Sequence, residues 1–443
     1  MPSGVIESLD HEARGITRLD GKTIFVEGAL PGETVEYASI RSKPTYEIAR
    51  AERVVKESPY RVVPRCPHYG VCGGCSMQHL DSSAQVAAKQ RLLESNLRHL
   101  GKLKAEQLYA PVYGAAWGYR SRARFSVFVP DTAGLALVGF HERKSSNIAE
   151  IRQCGNLLPH VSALIMPLRE LVSALSIKHS VPQIEIAVGE EVTVLVLRIL
   201  ESLKAADENL VRAFADKHDL VVYLQPKGPA SAVRFYPSDG RKLYYCLPDY
   251  NIEHCYSPTE FTQVNSEINR VLVRRAMALL DPQSGERIAD MFCGLGNFSL
   301  PIARLGASVV GVEGNRELVR RAAENAAANG LRELAKYEVA NLFEITPKQL
   351  KKLGHFDKML IDPPREGAIE LVKALDDVDS ESAQSKKPVR GLQRIVYVSC
   401  NPSTLARDSA ILVRQKGYRL LGAGVVNMFP NTSHVESIAL FEK

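Results

Sequence analysis

The chain has 443 residues, which accommodates two to four domains of ~100–200 residues each and an ample core. Its apolar runs fall well short of the ~18 residues that cross a bilayer, and residues 1–10 lack a targeting pattern, so we expect a cytoplasmic protein without membrane attachment. Eight cysteines in such a chain favour metal or catalytic roles over disulfides, and a net charge of +6 permits a polyanionic partner without requiring one.

Residues 1–58 are predicted to form a small β domain. Its five short strands are separated by turn signals such as Asp20-Gly21 and Pro31-Gly32, and they cover 4–8, 15–19, 23–26, 33–40 and 48–55. Several strands in so few residues predict a closed β-barrel of the OB type, which commonly binds nucleic acid. Charge does not decide between an RNA-binding and a spacer role, because residues 1–60 carry eight Lys/Arg against ten Asp/Glu.

Three cysteines follow the barrel in a C-x5-C-x2-C pattern: Cys66, Cys72 and Cys75. Thiolates this close in sequence can converge on one metal centre, which then needs a fourth ligand from elsewhere. Cys154 is the best candidate because it lies beside a glycine in a polar turn, and Cys246 and Cys255 are competitors. Tetrahedral zinc and a 4Fe-4S cluster both fit four thiolates, and spacing alone does not choose between them.

The next stretch, 84–124, has a large basic excess, with eight Lys/Arg against two Asp/Glu. Helical spacing of apolar residues predicts a helix over 84–100. Alternation in the strand that follows places Arg120, Arg122 and Arg124 on one face. Three arginines on one strand face can clamp phosphates, although a merely solvated basic surface explains the same pattern.

The C-terminal part carries a strand–turn–helix pattern typical of nucleotide-binding βα units. A strand over 287–292 breaks into Gly294-Leu295-Gly296-Asn297, where glycines allow a sharp turn close to a ligand and the next helix N-terminus faces it. A second strand ends in Glu313, which is suited to accept hydrogen bonds from ribose hydroxyls, and a third ends at Asn341. Upstream, Gln263 and Asn265 precede a helix and are predicted to be caps or ligand contacts.

The fourth and fifth strands end in reactive side chains. Prolines directly after Asp362 stiffen the loop and hold that acid at the carboxyl edge of the sheet. Cys400 ends the fifth strand just before a helix, whose N-terminus is predicted to lower the thiol pKa, so a nucleophile is favoured over a structural cysteine. His434 and Glu436 are predicted to share a strand face, as acid/base groups or as a surface pair. Residues 376–391 are hydrophilic and predict a flexible insertion loop.

Five motifs in order give the chain a recognisable signature: Phe261-Thr-Gln263, Asp290-Met-Phe292-Cys-Gly-Leu-Gly-Asn297, Asp362-Pro-Pro-Arg365, Ser399-Cys-Asn-Pro402 and His434-Val-Glu436-Ser437. With them the chain resembles the RNA 5-methyluridine methyltransferase family from about Gly4 to its C-terminus. The N-terminal barrel resembles a TRAM domain. The cysteine motif, followed by Gln78-His79, resembles the iron–sulfur motif of the family's bacterial 23S ribosomal RNA branch.

The resemblance implies an α/β protein in three parts. They are a TRAM barrel (1–58), a central α+β domain holding an iron–sulfur cluster (59–255) and a Rossmann-like methyltransferase domain (256–443) that binds S-adenosyl-L-methionine. The S-adenosylmethionine site is then lined by Gln263, Phe292, Asn297, Glu313, Asn341 and Asp362. The 4Fe-4S cluster is then held by Cys66, Cys72, Cys75 and Cys154. Cys293, inside the glycine-rich turn, is assigned to packing.

The implied reaction is methylation of C5 of a specific uridine in 23S ribosomal RNA. Cys400 forms a covalent adduct at C6 and Glu436 removes the C5 proton. A paired target base must be flipped out, so a loop or locally opened site is expected as substrate. We expect a monomer with no obligate protein partner.

Three alternatives stay open at this point. The same chemistry on transfer RNA or on another ribosomal uridine is the main rival. An iron–sulfur radical or redox enzyme using S-adenosylmethionine is disfavoured, because its cysteines are typically spaced C-x3-C-x2-C. An RNA-binding assembly factor with a vestigial site is disfavoured by the intact Asp362, Cys400 and Glu436.

Overall fold

The computed structural model describes residues 1–131, 135–238, 240–375 and 391–443. The predicted insertion loop therefore lies outside the described residues, apart from Gly391. No helix in the described part of the chain is both long and apolar enough to span a membrane.

The N-terminal strands close into a barrel, as predicted. They are β1 (Ser3–Val5), β2 (Ser8–Leu9), β3 (Gly15–Leu19), β4 (Lys22–Glu27), β5 (Thr34–Ser42) and β6 (Tyr46–Lys56). Their hydrogen-bonded order is β1-β5-β6-β4-β3-β2. Because β1 and β2 are successive pieces of one segment, the two ends of this order meet, and Glu7 N donates to Ile16 O at 2.8 Å where they do. Apolar side chains such as Ile24, Val35 and Tyr37 fill the interior.

The middle of the chain forms a second mixed sheet covered by helices. Its elements are α1 (Ser82–His99), β7 (Gln107–Leu108), β8 (Arg122–Phe128), β9 (Leu137–Gly139), α2 (Pro159–Ala163), α3 (Ile165–Ala174), β10 (Gln183–Val188), β11 (Thr193–Arg198), α4 (Ala205–His218), β12 (Leu220–Gln225), β13 (Val233–Tyr236), β14 (Tyr244–Leu247) and β15 (Ile252–Cys255). The sheet order is β13-β12-β11-β10-β8-β9, and β14 pairs only with β15. Leu168 of α3 and Val211 of α4 join the core that contains Phe125 of β8.

The C-terminal sheet positions the candidate site. Its elements are α5 (Ser266–Leu280), β16 (Arg287–Met291), α6 (Ser299–Arg304), β17 (Ser308–Glu313), α7 (Arg316–Ala328), β18 (Ala335–Val339), α8 (Pro347–Lys352), β19 (Lys358–Ile361), α9 (Ile369–Ala374), β20 (Arg394–Ser399), α10 (Pro402–Arg414), β21 (Arg419–Val426) and β22 (Glu436–Glu442). The order is β18-β17-β16-β19-β20-β22-β21-β7, in which β16 to β20 are parallel and β22 is antiparallel. The order reverses direction between β16 and β19, which is where open α/β sheets bind ligands at their carboxyl edge.

Two elements of the middle segment are built onto this C-terminal sheet. Strand β7 pairs with β21 at the sheet edge, and Leu93 and Leu97 of α1 are buried in the same core as Tyr397 and Phe441. The strand patterns predicted for β16 to β20 are confirmed within a few residues. Neither β7 nor β21 was predicted. The division at 58/59 and 255/256 stays a proposal about domains.

Candidate active site and cysteine cluster

Three predicted site residues meet at the carboxyl edge of the C-terminal sheet. Cys400 follows β20, whose last residue, Ser399, pairs with Ser437 of β22. Glu436, the first residue of β22, therefore lies beside Cys400. Asp362 follows β19, which runs parallel to β20, so it ends at the same edge. Long-range strand pairing has brought together a thiol and two carboxyl groups that are far apart in sequence.

The carboxyl groups of Asp362 and Glu436 are both desolvated. Among the described residues, no side chain or backbone group hydrogen-bonds the Asp362 or Glu436 carboxyl, and Glu436 is 3% exposed. Burial raises the pKa of Asp362 to about 7. Burial, reinforced by the Asp362 charge, raises the pKa of Glu436 well above its ordinary value. These acids hold their protons unusually tightly and are free to meet a ligand.

The thiol of Cys400 is also strongly shifted. Burial, with smaller contributions from Glu436 and Asp362, raises its pKa to about 12, while Arg365 opposes that rise. The prediction of a lowered pKa is therefore wrong, because desolvation and two neighbouring acids raise it. Without a ligand, Cys400 is therefore a protonated thiol and not a thiolate.

The loop after Asp362 is fixed by the start of α10. Asn401 caps that helix through its side-chain oxygen, which accepts from Ser403 N at 3.1 Å, and its amide nitrogen donates to Arg365 O at 3.0 Å. The buried carboxylate of Asp408 accepts from Ala368 N at 2.8 Å. The segments that carry Asp362 and Cys400 are thus held in one arrangement.

His434 does not share a strand face with Glu436, because β22 begins only at Glu436. The guanidinium of Arg365 lies 3.0 Å from His434 Nδ1. Partial burial of the ring and the charge of Arg365 lower the pKa of His434 to about 4. A neutral imidazole accepting from Arg365 is a poor proton donor, which leaves Glu436 as the buried acid/base group.

The glycine-rich turn and Glu313 are locked together. Glu313 Oε2 accepts from Gly294 N at 3.2 Å and its Oε1 accepts from Asn315 N at 3.0 Å. Phe292, at the turn, has a left-handed backbone (φ 64°), and its ring lies 5.4 Å from that of Phe343. The carboxylate therefore stands at the end of β17 beside the turn, as the sequence predicted.

The side chain of Asn297, which was predicted to line the cofactor site, is hydrogen-bonded to other residues of the protein. Its Oδ1 accepts from Asn269 Nδ2 at 3.0 Å and from Tyr245 Oη at 2.9 Å, and its Nδ2 donates back to Asn269 Oδ1 at 3.1 Å. Both ends of the Asn297 amide are engaged by the protein. Its side chain fixes the turn to α5.

The remaining residues predicted to contact the cofactor are Gln263, Asn265 and Asn341. In the part of the chain that the structure describes, the Gln263 amide has no hydrogen-bond partner, whereas Asn265 is the α5 cap and accepts from Ile268 N at 3.3 Å. Asn341 is exposed, and its Oδ1 accepts from Phe343 N at 3.1 Å.

Asp290 has a part in the site that was not predicted. It is fully buried beneath the glycine-rich turn and accepts a hydrogen bond from Ser299 Oγ. Burial, with a contribution from Asp362, raises its pKa to about 7. An acid at the end of the first strand was visible in the motif, but its burial depended on the tertiary fold. Cys293 is 5% exposed in the core, in line with the packing role assigned to it.

All three arginines predicted to clamp phosphates are engaged by the protein. Arg120 Nε donates to Arg122 O at 2.8 Å. Arg122 donates to the backbone oxygens of Pro258 and Glu260 and to Thr262 Oγ1, which anchors the segment leading to Gln263. Arg124 pairs with Glu185 at 3.1 Å. The phosphate-clamp prediction is wrong for Arg122, whose burial the sequence pattern did not reveal.

The predicted metal-binding cysteines lie near one another in the middle segment. Residues 62–80 contain turns and isolated bridges, and the four thiols are partly buried. Burial raises the pKa of Cys72 and Cys154 and raises that of Cys75 to about 12, and in each case other thiols of this group add to the rise. Cys246 and Cys255 lie apart, in the β14–β15 hairpin.

Thiols that are buried away from water ionise only next to positive charge, which the irons of a cluster would supply. The four thiols therefore fit as ligands of an iron–sulfur cluster. Asn156 Nδ2 donates to Cys75 Sγ at 3.2 Å, a bond typical of ligand sulfurs. Among the described residues, no three Cys, His, Asp or Glu side chains are gathered closely enough to hold a metal ion.

Comparison with known proteins identifies the family. The model of the tRNA (uracil-5-)-methyltransferase family matches residues 81–443. The chain belongs to this family. The TRAM domain model matches residues 5–46, which confirms the predicted N-terminal domain.

Full-length relatives are more similar still. The chain is 61% identical over 442 residues to the 23S rRNA (uracil(1939)-C(5))-methyltransferase RlmD of Dechloromonas aromatica, with 100% of both chains covered. It is 58% identical over 443 residues to the protein of that name from Aromatoleum aromaticum, again with 100% of both covered.

A solved structure has the same architecture. The Pyrococcus abyssi tRNA (uracil-54, C5)-methyltransferase in complex with S-adenosyl-L-homocysteine matches with a TM-score of 0.72 and 27% identity, covering 99% of each chain. The family and this neighbour establish a methyltransferase fold that uses S-adenosylmethionine.

Proposed function

We propose that this protein transfers a methyl group from S-adenosylmethionine to C5 of a uridine in 23S ribosomal RNA. The convergence of Cys400, Glu436 and Asp362 at the sheet edge carries the proposal. The full-length relatives at 58–61% identity are named for that reaction.

Cys400 is the nucleophile. Carbon 5 of uracil attacks poorly by itself, so electrons must first enter the ring. Addition of the Cys400 sulfur to C6 forms an enolate whose C5 is nucleophilic. Because burial holds the pKa of Cys400 at about 12, the thiol must first give its proton to solvent, and the thiolate then adds to C6.

Glu436 is the base. Once C5 carries the methyl group, its proton must be removed before the C6–sulfur bond can break. A buried carboxylate is a stronger base than an exposed one because burial raises its pKa. Glu436 in its ionised form, buried and adjacent to Cys400, therefore accepts this proton readily. Loss of that proton restores the ring double bond and expels Cys400 as a thiolate.

The other predicted residues hold the methyl donor, which supplies an electrophilic methyl group on a positively charged sulfonium. Glu313, at the end of β17, is placed for ribose hydroxyls, and the Gln263 amide has no hydrogen-bond partner among the residues that the structure describes. A cation beside Asp362 favours its ionised form. Phe292, Asn341 and the backbone of Asn297 complete the proposed lining.

We propose 4Fe-4S ligation by Cys66, Cys72, Cys75 and Cys154. Replacing Cys154 with alanine in anaerobically purified protein should abolish the visible charge-transfer absorption. Cys255→Ala is the matched control, because that cysteine lies on β15 outside the group, and it should retain the full spectrum. Equal spectra from the two variants would contradict Cys154 as the fourth ligand.

The substrate is tested by mass mapping of 5-methyluridine in total RNA from cells with and without this protein. We expect one 23S site to lose its methyl group and transfer RNA to keep all of its 5-methyluridine. Loss confined to transfer RNA would support the rival substrate instead. As an enzyme of ribosomal RNA, the protein is expected to work in the cytoplasm, and its monomeric state stays a prediction.

The mechanism is tested by trapping. Glu436→Gln with RNA and S-adenosylmethionine should accumulate a protein–RNA adduct stable on denaturing gels, because the C5 proton is retained. The double variant with Cys400→Ala should form none. An adduct that persists in the double variant would exclude Cys400 as the attachment point.

A further inference from the structure

The cysteine loop is bonded directly to the segment that delivers the proposed base. Strand β21 ends at Val426 and β22 begins at Glu436, so residues 427–435 cross between them outside any strand. Ser76 N and Met77 N both donate to Asn431 O at 3.0 Å, and Ser433 N donates to Ser76 Oγ at 2.9 Å. The residues immediately after Cys75 thus set the path of this crossing segment.

A pair of buried amides adds a second connection. Asn156 donates from Nδ2 to Cys75 Sγ at 3.2 Å and accepts at Oδ1 from Asn431 Nδ2 at 2.9 Å. Asn156 is 6% exposed and Asn431 is 2% exposed. A continuous chain of side-chain hydrogen bonds therefore runs from a proposed cluster ligand to a residue five positions before Glu436.

Asn431 is held in one conformation by several hydrogen bonds. Its backbone is left-handed (φ 65°), its N donates to Gln85 Oε1 at 2.8 Å, and its Nδ2 also donates to Ala116 O at 2.8 Å. Gln85 Nε2 returns a bond to Asn431 Oδ1 at 3.3 Å. In such a buried network every donor and acceptor has a partner, so the side chains are held in one arrangement. Replacing one of them disturbs the hydrogen bonds of the others.

We propose that Asn156 and Asn431 are positioning residues that couple occupancy of the four-cysteine site to the placement of Glu436. A ligand thiolate accepts a hydrogen bond more strongly than a thiol does, so occupancy fixes the Asn156 amide. Asn156 in turn orients Asn431 and the crossing segment that ends at Glu436. The coupling rests on the proposed roles of the cysteines and of Glu436.

Hydrogen exchange of the full-length protein measures the coupling without any substrate. Amides of residues 427–437 should exchange at least about ten-fold faster after a chelator removes the cluster than in the loaded protein. Loaded Asn156→Leu and loaded Asn431→Gly should already show the faster exchange. Glycine suits position 431 because it tolerates the left-handed backbone while removing the amide. Asn96→Leu, on α1, is the control and should match the wild type.

The reduction potential separates positioning from a general loss of stability. Hydrogen bonds to ligand sulfurs tune cluster potentials, so Asn156→Leu should shift the midpoint to a more negative value. Asn431→Gly, which removes no hydrogen bond to sulfur, should shift it much less. In both variants we expect kcat for methyl transfer to fall about 10–100-fold with KM for RNA nearly unchanged. If Asn156→Leu fails to assemble a cluster, Asn431→Gly still provides the exchange and kcat results.

Equal exchange of residues 427–437 in loaded and stripped wild-type protein would overturn the proposal. So would loaded Asn431→Gly with wild-type exchange and kcat. These outcomes differ from failure of the proposed function, which would appear as wild-type protein without adduct or methyl transfer. The exchange experiment gives its answer in either case.

Discussion

The thiol of Cys400 and the thiols of the four-cysteine group are all partly buried, and yet the two regions are suited to different chemistry. Burial raises the pKa of Cys400 to about 12 and that of Cys75 also to about 12. Around Cys400 the neighbouring charged groups are the carboxyls of Glu436 and Asp362 and the guanidinium of Arg365, whereas around Cys75 they are other thiols. The surroundings, more than the thiol pKa, distinguish the two regions.

The difference is instructive about how a thiolate is produced. A single cation next to acids and one thiol can ionise that thiol for the time of a reaction, which suits a nucleophile. Several thiols that repel one another once charged need a lasting, highly charged centre between them, which suits a metal cluster. Under the proposed roles, burial gives a conditional nucleophile at Cys400 and a cluster-binding site at the four cysteines.

The largest predicted effects come from removing one thiol from each region, because each removal should abolish a different property. Cys400→Ala should lower methyl transfer by roughly 10⁴-fold or more, because no other group can add to C6, while RNA binding and visible absorption stay at wild-type levels. Cys75→Ala should lose the absorption. Cys246→Ala, on the separate β14–β15 hairpin, should keep both properties. Substantial methyl transfer by Cys400→Ala would contradict the role of Cys400 as the nucleophile.

The charge of the methyl donor should change the reactivity of Cys400. With S-adenosylmethionine bound, alkylation of Cys400 by iodoacetamide at pH 8 should be about ten-fold faster than with S-adenosylhomocysteine, because a sulfonium lowers a neighbouring thiol pKa and a thioether does not. Peptide mass mapping distinguishes Cys400 from Cys75, which should show no such dependence. Equal rates with the two ligands would mean that some other group ionises the thiol.

The smallest expected effect is on stability. Folding raises the pKa of Asp362 from 3.8 to about 7, so the folded state binds this proton more tightly and loses stability as pH rises from about 4 to about 7. Asp362→Asn removes that loss. Its thermal midpoint should exceed the wild-type value by several degrees at pH 8 and match it near pH 4.

Asp131→Asn, at an exposed position, is the control for this stability measurement and should leave the midpoint unchanged at both pH values. A midpoint difference for Asp362→Asn that is the same at pH 4 and pH 8 would show that packing, and not ionisation, is responsible.

Much of the site was predictable because its signals are local. Proline and glycine punctuation placed Asp362 and Cys400 at strand ends, and parallel strands carry their carboxyl ends to one edge. Orientation was less predictable. Asn297 turned its amide to Asn269 and Tyr245, which lie in elements distant in sequence.

The sequence by itself determined the family, the residues that end the C-terminal strands and the kinds of side chain at the site. Periodicity, turn residues and motif spacing are properties of short segments, so they can be recognised without the fold. Only the tertiary structure decided how each group is solvated and paired: the raised pKa of Cys400, the engagement of Arg122 and the amide chain from Cys75 through Asn156 to Asn431. Desolvation and charge proximity are set by residues far apart in the chain, so no local pattern contains them.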